Sequence, residues 1–224
     1  MNPVPNPRVK ICCIGSVEEA QMAIACGASA LGLVSRMPSG PGVISEDLIA
    51  EIAAAIPPGI TSFLLTCKQD AAEIIAQQRR CRTNCIQLCD RLAPGSYQQL
   101  KAALPGISIV QVIHVLGPES VEDAITVAPN VSALLLDSGD PSLPIKELGG
   151  TGRRHDWTLS REIRERVPAP IFLAGGLNSE NVADAIAEVG PFGLDLCSGV
   201  RTDGKLNPKK LECFFNSVRR ACVA

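Results

Sequence analysis

The sequence has few aromatic residues and almost no net charge. Aromatic side chains make up 3% of its 224 residues, and the formal net charge is -2. Proteins that bind nucleic acids usually carry a basic excess, and those that bind single strands also present aromatic side chains on which bases stack. The composition therefore argues against a nucleic-acid partner and favours a small-molecule ligand.

Long apolar runs are also missing. No stretch approaches the roughly 18 residues that a membrane span needs, and the N-terminus lacks the basic and then apolar layout of a signal peptide. We therefore expect a cytoplasmic protein with no membrane partner. The hydrophobic fraction of 46% is enough for the core of one domain over residues 1–224, in which residues 1–8 form a flexible N-terminal extension. A monomer and a homodimer both remain open.

Cysteine, in contrast, is abundant, with ten residues. The chain has no Cys-x-x-Cys pair, and its two histidines, His114 and His155, have no metal-ligand spacing. Cys81, Cys85 and Cys89 are four residues apart, but the last two fall on or beside a predicted strand. We expect no metal site, and we expect the cysteines to be reduced and mostly buried as small apolar side chains.

Short β-branched and apolar runs alternate with helical segments along the whole chain. The predicted strands cover 9–14, 30–34, 60–65, 85–88, 107–115, 133–137, 170–174 and 193–197. The predicted helices cover 16–26, 70–80, 96–104, 120–127 and 160–167, and three more begin near 45, 179 and 207. Strict alternation requires parallel strands with right-handed crossovers, and eight units in one domain of this size favour an α/β fold, the closed (β/α)8 TIM barrel.

In such a barrel the chemistry lies where the strands end. Lys10 and Cys12 share one side of the first strand, while Ile11 and Cys13 should face the other side. Asp137 follows three leucines at the exit of the sixth strand, where burying an unpaired carboxylate would cost several kcal/mol. A thiol and a carboxylic acid at one rim are a plausible base and acid pair.

The last two strands both end in glycine-containing turns. Gly175 and Gly176 follow the seventh strand, and Ser198 and Gly199 follow the eighth. Backbone without bulky side chains can approach an anion closely and hold it through N–H groups. We therefore predict that these four residues bind a phosphate group of a small phosphorylated substrate.

Five motifs, in this order, resemble the phosphoribosylanthranilate isomerase family. They are Lys10-Ile-Cys-Cys-Ile-Gly15, Leu134-Leu-Leu-Asp-Ser138, Gly149-Gly-Thr-Gly152 with Asp156-Trp157, Ala174-Gly-Gly-Leu-Asn-Ser-Glu-Asn-Val182 and Gly193-Leu-Asp-Leu-Cys-Ser-Gly-Val200. The resemblance implies an isomerase of tryptophan biosynthesis that carries out an Amadori rearrangement without a cofactor. It also implies that Cys12 is the base, Asp137 the acid, and Lys10, Cys89, Gly150 and Gly152 further substrate-binding residues.

The departures from the family pattern concentrate at the end that would hold anthranilate. Cys13 and Gly15 replace a glycine and a threonine, Cys89 replaces a histidine, and Arg201 replaces a glutamate. The arginine expected in the loop after the second strand is missing. Three cations could replace it: Arg36 in that loop, His114 near the end of the fifth strand, and Arg201.

Three functions follow from this pattern. The first is the isomerase itself, with one of these cations binding the anthranilate carboxylate. The second is a diverged barrel isomerase or lyase that acts on another phosphorylated metabolite. The third is a non-catalytic protein that binds a phosphorylated metabolite. The retention of Cys12 and Asp137 argues against the third, because binding alone requires neither residue.

Overall fold

A computed structural model describes residues 6–222 of the chain. Eight parallel strands close into a barrel in sequential order, so β1 lies between β2 and β8. The strands are β1 Arg8–Ile11, β2 Ala30–Val34, β3 Thr61–Thr66, β4 Cys85–Leu88, β5 Ser108–His114, β6 Ala133–Asp137, β7 Ile171–Leu173 and β8 Gly193–Leu196. The predicted (β/α)8 fold is confirmed. Of the predicted N-terminal extension, residues 1–5 lie outside the described part of the chain, and β1 begins at Arg8.

Each strand is followed by a helix that packs on the outside of the barrel. These helices are α1 Val17–Cys26, α2 Glu46–Ala55, α3 Ala71–Cys81, α4 Ser96–Ala103, α5 Glu119–Val127, α6 Trp157–Arg166, α7 Val182–Val189 and α8 Pro208–Ala221. A short antiparallel ribbon, β9 Arg201–Thr202 with β10 Lys205–Leu206, lies between β8 and α8.

Several of these helices begin near the predicted positions, where a side chain caps the first turn. The hydroxyl of Ser16 accepts a hydrogen bond from the N–H of Glu19 (3.2 Å), and Ser45 does the same for Leu48 (3.2 Å). Asn207 caps α8, which has Pro208 at its first position. An N-terminal cap satisfies a backbone N–H that has no partner inside the helix.

Three helix starts differ from prediction, each for a local reason. Helix α6 begins at Trp157 instead of Ser160 because Asp156 caps it. Helix α7 begins at Val182, since the side chain of Asn178 first closes a separate turn by accepting from the N–H groups of Glu180 and Asn181. The fifth helix was predicted from Ser120, but the Ser120 hydroxyl accepts from the N–H of Leu116 (3.1 Å) and α5 begins one residue earlier, at Glu119.

The core has two layers, which reflect the alternation of side chains along each strand. One layer fills the space between strands and helices, where Ile11, Leu31 and Phe214 pack together. The other fills the barrel, where the rings of Phe63 and Phe172 meet edge to face with centroids 5.8 Å apart. The packed interior closes the barrel below and leaves its upper rim available for ligand.

Candidate active site

A cavity of about 700 Å³ opens at the carboxyl ends of the strands. This volume includes the solvent at the open mouth of the cavity. Two of its walls carry the predicted catalytic pair, because both Cys12 and Asp137 line it. The rule that chemistry in a barrel lies at strand ends predicted this position, and the catalytic roles of both residues stay predictions.

The end of β1 differs from its prediction. The strand ends at Ile11, and the N–H of Cys12 still donates to the carbonyl of Leu196 on β8 (2.9 Å). Cys13 then takes a positive φ of 62°, which breaks the alternation of sides. Cys13 consequently faces the same cavity as Cys12, and the prediction that it faces the other side of the sheet is wrong.

Lys10 is fully buried inside the barrel and lies two residues before Cys12 in the chain. Its Nζ lies 2.8 Å from Oδ1 of Asp195 on β8. Burial opposes the charge of the lysine, but the attraction of Asp195 outweighs it and raises the pKa of Lys10 above its usual value. Lys10 was predicted to contact substrate, but it is not among the residues that line the cavity. It places a fixed positive charge below the cavity floor.

Gly32 on β2 shows how tightly this charge and the thiol are packed. A Cβ atom on Gly32 would lie 2.8 Å from Sγ of Cys12 and 3.1 Å from Nζ of Lys10. Real Cβ atoms essentially never lie as close as 2.8 Å to a neighbouring atom, and 3.1 Å is tighter than nearly all real contacts. Any side chain at position 32 would therefore displace the thiol of Cys12 and press on the lysine.

Asp137 ends β6, and its Oδ1 accepts a hydrogen bond from the N–H of Ser138 (2.7 Å). Burial raises the pKa of Asp137, the N–H of Ser138 partly lowers it, and the nearby carboxylate of Asp195 raises it again. The net direction is upward. A carboxyl group with a raised pKa keeps its proton to higher pH, as a proton donor must.

Backbone from the β6–α6, β7–α7 and β8–α8 connections forms one end of the cavity. Gly150, Gly152, Gly175, Gly176 and Ser198 all line it. Gly175 and Gly176 have φ of 85° and 63°, a region that favours glycine. The hydroxyl of Ser138 donates to the carbonyl of Arg153 (2.7 Å) and so ties the loop after β6 to this end.

Gly199 is the exception among the predicted phosphate-binding residues. It belongs to a short 3-10 helix, Ser198–Val200, directly after β8. It does not appear in the cavity wall, and a Cβ atom there would collide with the carbonyl of Leu177. Its α-carbon therefore packs against the loop after β7, which lets that loop approach Ser198 closely.

The opposite end of the cavity is apolar. Val34, Met37, Leu65 and Leu148 line it, together with the fully buried thiol of Cys89. Burial raises the pKa of Cys89. Cys89 was a predicted substrate contact, and the structure places it at this wall as a neutral group.

Gln87 provides the amide group of this apolar end. It is 4% exposed, and its Oε1 has no hydrogen-bond partner. Its Nε2 has only a long contact of 3.8 Å to Sγ of Cys89. A buried amide without strong hydrogen-bond partners lowers the stability of the folded state unless a ligand supplies those hydrogen bonds. Gln87 therefore indicates where a polar group of a ligand would lie.

None of the three candidate cations lines this cavity. Arg36 is exposed beside the mouth, where its carbonyl accepts from the thiol of Cys67. His114 turns its Nε2 to the carbonyl of Cys89 (3.1 Å) and lines a neighbouring cavity between the loops after β4 and β5. Within residues 6–222, the cavity wall contains no arginine, lysine or histidine.

Arg201 has a structural position instead. It is buried, pairs with Glu19 (3.1 Å), and donates to the carbonyls of Cys12 (3.1 Å) and Cys13 (2.5 Å). Glu19 also accepts from the N–H of Gly15 (3.0 Å). The pair therefore holds the loop after β1 against the segment after β8.

Two polar residues of the site were missed by sequence reasoning. Asp195 and Gln87 lie in the middle of apolar strands, Leu-Asp-Leu on β8 and Ile-Gln-Leu on β4. The sequence did carry a signal for them, because a polar residue on the inner side of a barrel strand indicates a possible site residue. Elsewhere in the described part of the chain, no group of histidine, cysteine and acidic residues could hold a metal ion, and no helix is long and apolar enough to cross a membrane.

Comparisons with known proteins agree with this arrangement. The family described as N-(5'phosphoribosyl)anthranilate (PRA) isomerase matches residues 9–217. N-(5'-phosphoribosyl)anthranilate isomerase 2 from Methanosarcina mazei is 37% identical over 87% of this chain and 85% of its own. The crystal structure of phosphoribosyl anthranilate isomerase from Thermus thermophilus is similar with a TM-score of 0.80 and 27% identity, covering 95% of this chain and 98% of its own.

A further structure shows such a protein with a ligand. It is phosphoribosyl anthranilate isomerase in complex with reduced 1-(o-carboxyphenylamino)-1-deoxyribulose 5-phosphate. It has a TM-score of 0.79 and 26% identity, covering 96% of this chain and 99% of its own. That ligand combines a phosphate, an opened sugar and an aromatic carboxylate.

Proposed function

The chain belongs to the N-(5'-phosphoribosyl)anthranilate isomerase family, and from this premise we propose how its residues carry out the reaction. It is an aldose-ketose isomerase of tryptophan biosynthesis. We propose that Asp137 is the general acid and Cys12 the general base. The observation that supports this most is their position in one cavity that ends in a cup of backbone groups.

The first step opens the sugar. Asp137 donates its proton to the ring oxygen while the bond from that oxygen to C1 breaks, and the nitrogen lone pair forms a C1=N bond. The raised pKa of Asp137, caused first by burial, keeps the proton available. The carboxylate of Asp195 supports this state, because a second negative charge nearby disfavours ionisation of Asp137.

The second step moves a proton from carbon. The thiolate of Cys12 takes the proton from C2, and the electrons of that bond form C1=C2 as the C1=N electrons return to nitrogen. The enolamine then loses its hydroxyl proton and gains one at C1, which gives the ketose. The positive charge of Lys10, packed beside Sγ of Cys12, stabilises the thiolate.

Substrate orientation follows from the two ends of the cavity. The phosphate binds the backbone around Gly150, Gly152, Gly175, Gly176 and Ser198, with Gly199 supporting the cup from behind. The anthranilate ring lies between the apolar side chains of the opposite end. Binding energy gained at both ends positions C1 and C2 between the thiol and the carboxyl group.

The test combines growth and kinetics. We expect the full chain to rescue a tryptophan auxotroph that lacks this isomerase. We also expect the purified protein to consume phosphoribosylanthranilate. The loss of substrate fluorescence measures this reaction, in an assay coupled to the next enzyme of the pathway. Cys12→Ser and Asp137→Asn should each lower kcat by about 1,000-fold or more. The control is Asp140→Asn. Asp140 lies three residues after Asp137, and its carboxylate accepts hydrogen bonds from the N–H and hydroxyl of Ser142 in the same loop.

Two results would count against the proposal in different ways. If the unaltered protein shows no turnover and no rescue, the isomerase activity itself is wrong. If it is active but either variant keeps full turnover, only the assignment of the acid or the base is wrong.

A further inference from the structure

Three departures from the family pattern, Cys13, Gly15 and Arg201, meet at the end of β1. Arg201 donates to the carbonyls of Cys12 (3.1 Å) and Cys13 (2.5 Å). Glu19, which pairs with Arg201, accepts from the N–H of Gly15 (3.0 Å). These hydrogen bonds join the segment directly after Cys12 to the segment after β8. The three departures therefore belong to one connected cluster beside the proposed base.

The backbone of Cys13 gives this cluster its importance. Its φ of 62° lies in the left-handed region, which glycine enters freely and a residue with a side chain does not. The paired part of β1 ends at Ile11, so the carbonyls of Cys12 and Cys13 lie beyond the strand ladder. Hydrogen bonds from a charged donor are stronger than those between neutral groups. Two of them on consecutive carbonyls fix the two peptide planes that follow the base.

Arg201 is itself held from several elements. Its Nη1 donates to both carboxylate oxygens of Glu19 on α1 (3.1 and 3.2 Å) and to the carbonyl of Gly204 between β9 and β10 (3.0 Å). Nζ of Lys210 on α8 donates to the carbonyl of Arg201 (2.6 Å). The Arg201 side chain is 8% exposed. A guanidinium group anchored in this way is a rigid support for the groups that it contacts.

We propose that Arg201 is a positioning residue for the general base, which holds the left-handed turn at Cys13 and thereby fixes the thiol of Cys12 toward the cavity. The inference rests on the proposed function, in which Cys12 takes the proton from C2 of the sugar. Arg201 is not in the cavity wall, so it acts through Cys12 and not on the substrate. Because a misplacement of about 1 Å can cost 100-fold in rate, loss of Arg201 should slow proton transfer and leave substrate binding nearly unchanged.

The first experiment compares the steady-state kinetics of full-length variants. Arg201→Met should lower kcat by about 30-fold or more and change KM by less than about 3-fold. Each kcat is divided by the folded fraction, measured by circular dichroism. Arg201→Lys, which keeps the charge and one donor nitrogen, should recover part of the loss. The control is Arg166→Met, because Arg166 pairs with Glu122 and Glu162 on the surface of the barrel and should affect neither constant.

A milder variant covers the case in which Arg201→Met does not fold. Glu19→Gln removes the charge that anchors Arg201 but leaves the guanidinium group and its two carbonyl partners in place. It should lower kcat in the same direction and to a smaller extent than Arg201→Met. Arg201→Lys and Glu19→Gln then undergo the same measurements.

A substrate with deuterium at C2 separates positioning from a purely structural role. When the base is misplaced, removal of the C2 proton becomes the slowest step. The isotope effect on kcat in the Arg201 variants should therefore be at least as large as in the unaltered protein. A residue with a structural role alone would change the folded fraction and leave kcat per folded molecule the same.

Amide hydrogen exchange, followed by mass spectrometry, tests the anchor without turnover. The peptide that covers residues 9–16 should exchange faster in the Arg201 variants than in the unaltered protein or in Arg166→Met, because the carbonyls of Cys12 and Cys13 lose their donor. If the unaltered protein has no turnover, the proposed function fails, and the exchange still shows whether Arg201 holds this segment.

Three results would overturn the inference in an active protein. The first is a kcat per folded molecule in the Arg201 variants within about 3-fold of the unaltered value. The second is a loss that appears in KM instead of kcat, or an isotope effect that disappears, because the slow step would then not be proton removal. The third is an unchanged rate of exchange over residues 9–16.

Discussion

Gln87 is a buried residue of the cavity wall whose hydrogen bonds are incomplete. Its buried Oε1 has no partner, and the cavity wall around it supplies no cation. In the orientation proposed above, the anthranilate carboxylate meets only neutral donors at this end, and the amide Nε2 of Gln87 can turn from its long contact with Cys89 to supply one. Hydrogen bonds to charged groups contribute about 1.5–3 kcal/mol.

We therefore expect Gln87→Leu to raise KM for phosphoribosylanthranilate by about 10-fold or more and to change kcat less. Steady-state kinetics measure this. Gln77→Leu is the matched control, because Gln77 is also a buried amide with an unpaired Oε1 but lies on α3 outside the cavity. If Gln87→Leu raises KM equally for a substrate analogue without the carboxylate, Gln87 does not bind that group.

His155 makes the stability of the protein sensitive to acid. Its Nε2 bonds with the hydroxyl of Ser160 (2.7 Å), its Nδ1 is buried without a partner, and burial lowers its pKa from 6.5 to about 4. The unfolded state then binds a proton more readily than the folded state between these two values. The stability contributed by the neutral ring is complete above about pH 6.5 and is lost as the pH falls toward about 4.

The expected loss is at most about 3 kcal/mol, from 1.36 kcal/mol for each unit of pKa difference. Urea unfolding at pH 7 and pH 4.5 should show it, and His155→Phe should lose less stability over the same pH range. His114→Phe serves for comparison, because it removes the other histidine of the chain. An identical pH dependence in His155→Phe and the unaltered protein would contradict this explanation.

At the scale of elements, the contact between β1 and β8 depends on a buried ion pair. Lys10 and Asp195 connect the two strands at 2.8 Å, in register with each other. Removing one partner leaves a buried charge unpaired and typically costs about 3–5 kcal/mol, while replacing both by apolar residues costs much less. The pair thus makes the closure of the barrel specific to this register.

We expect Lys10→Met to lower the free energy of unfolding by about 3 kcal/mol or more, and Lys10→Met with Asp195→Leu to recover much of the loss. Urea unfolding followed by circular dichroism measures both. Lys68→Met is the control, since Lys68 pairs with Glu73 on the surface (3.1 Å) and such pairs contribute about 1 kcal/mol or less. Equal destabilisation by Lys10→Met and Lys68→Met would show that the buried pair is not special.

The elements themselves were largely predictable from the sequence. Apolar β-branched runs and helix caps such as Ser45 are local signals, and they located all eight strands and the order of the barrel. The early end of β1 was not predictable, because it depends on the left-handed backbone of Cys13. The start of α7 likewise depends on a side-chain bond of Asn178 that the sequence pattern does not specify.

The site was predictable where strand position alone decides it. Cys12 and Asp137 follow from the rule on strand ends, and the glycine cup follows from the turns after β7. The cations were assigned incorrectly because their placement depends on loop paths and ring rotation. Arg36 points to solvent, and His114 is held by the carbonyl of Cys89.

At the scale of the whole molecule, a ligand that spans the cavity touches residues from β1, β2, β3, β4, β6, β7 and β8 or the loops that follow them. Binding should therefore stabilise the barrel as one unit. At 100 times its dissociation constant, a ligand specific for the folded state adds about 2.7 kcal/mol. For a chain of this size that corresponds to a rise in Tm of roughly 5–10 °C.

The probe is reduced 1-(o-carboxyphenylamino)-1-deoxyribulose 5-phosphate, with its dephosphorylated form as control. Thermal unfolding should show one transition that moves upward with the phosphorylated compound, followed equally by circular dichroism and by the fluorescence of the buried Trp157. Two transitions, of which only one moves, would show that the barrel does not respond as a unit.

The pairing of β1 with β8 also has a consequence for biosynthesis. Residues 8–11 are synthesised before the other strands of the barrel, and one of their two partner strands is residues 193–196, so this edge of the sheet stays open until β8 has been made. An open edge of unpaired backbone groups invites pairing with other chains. The free edge of β1 is therefore exposed to such pairing for longer than the edge of any later strand.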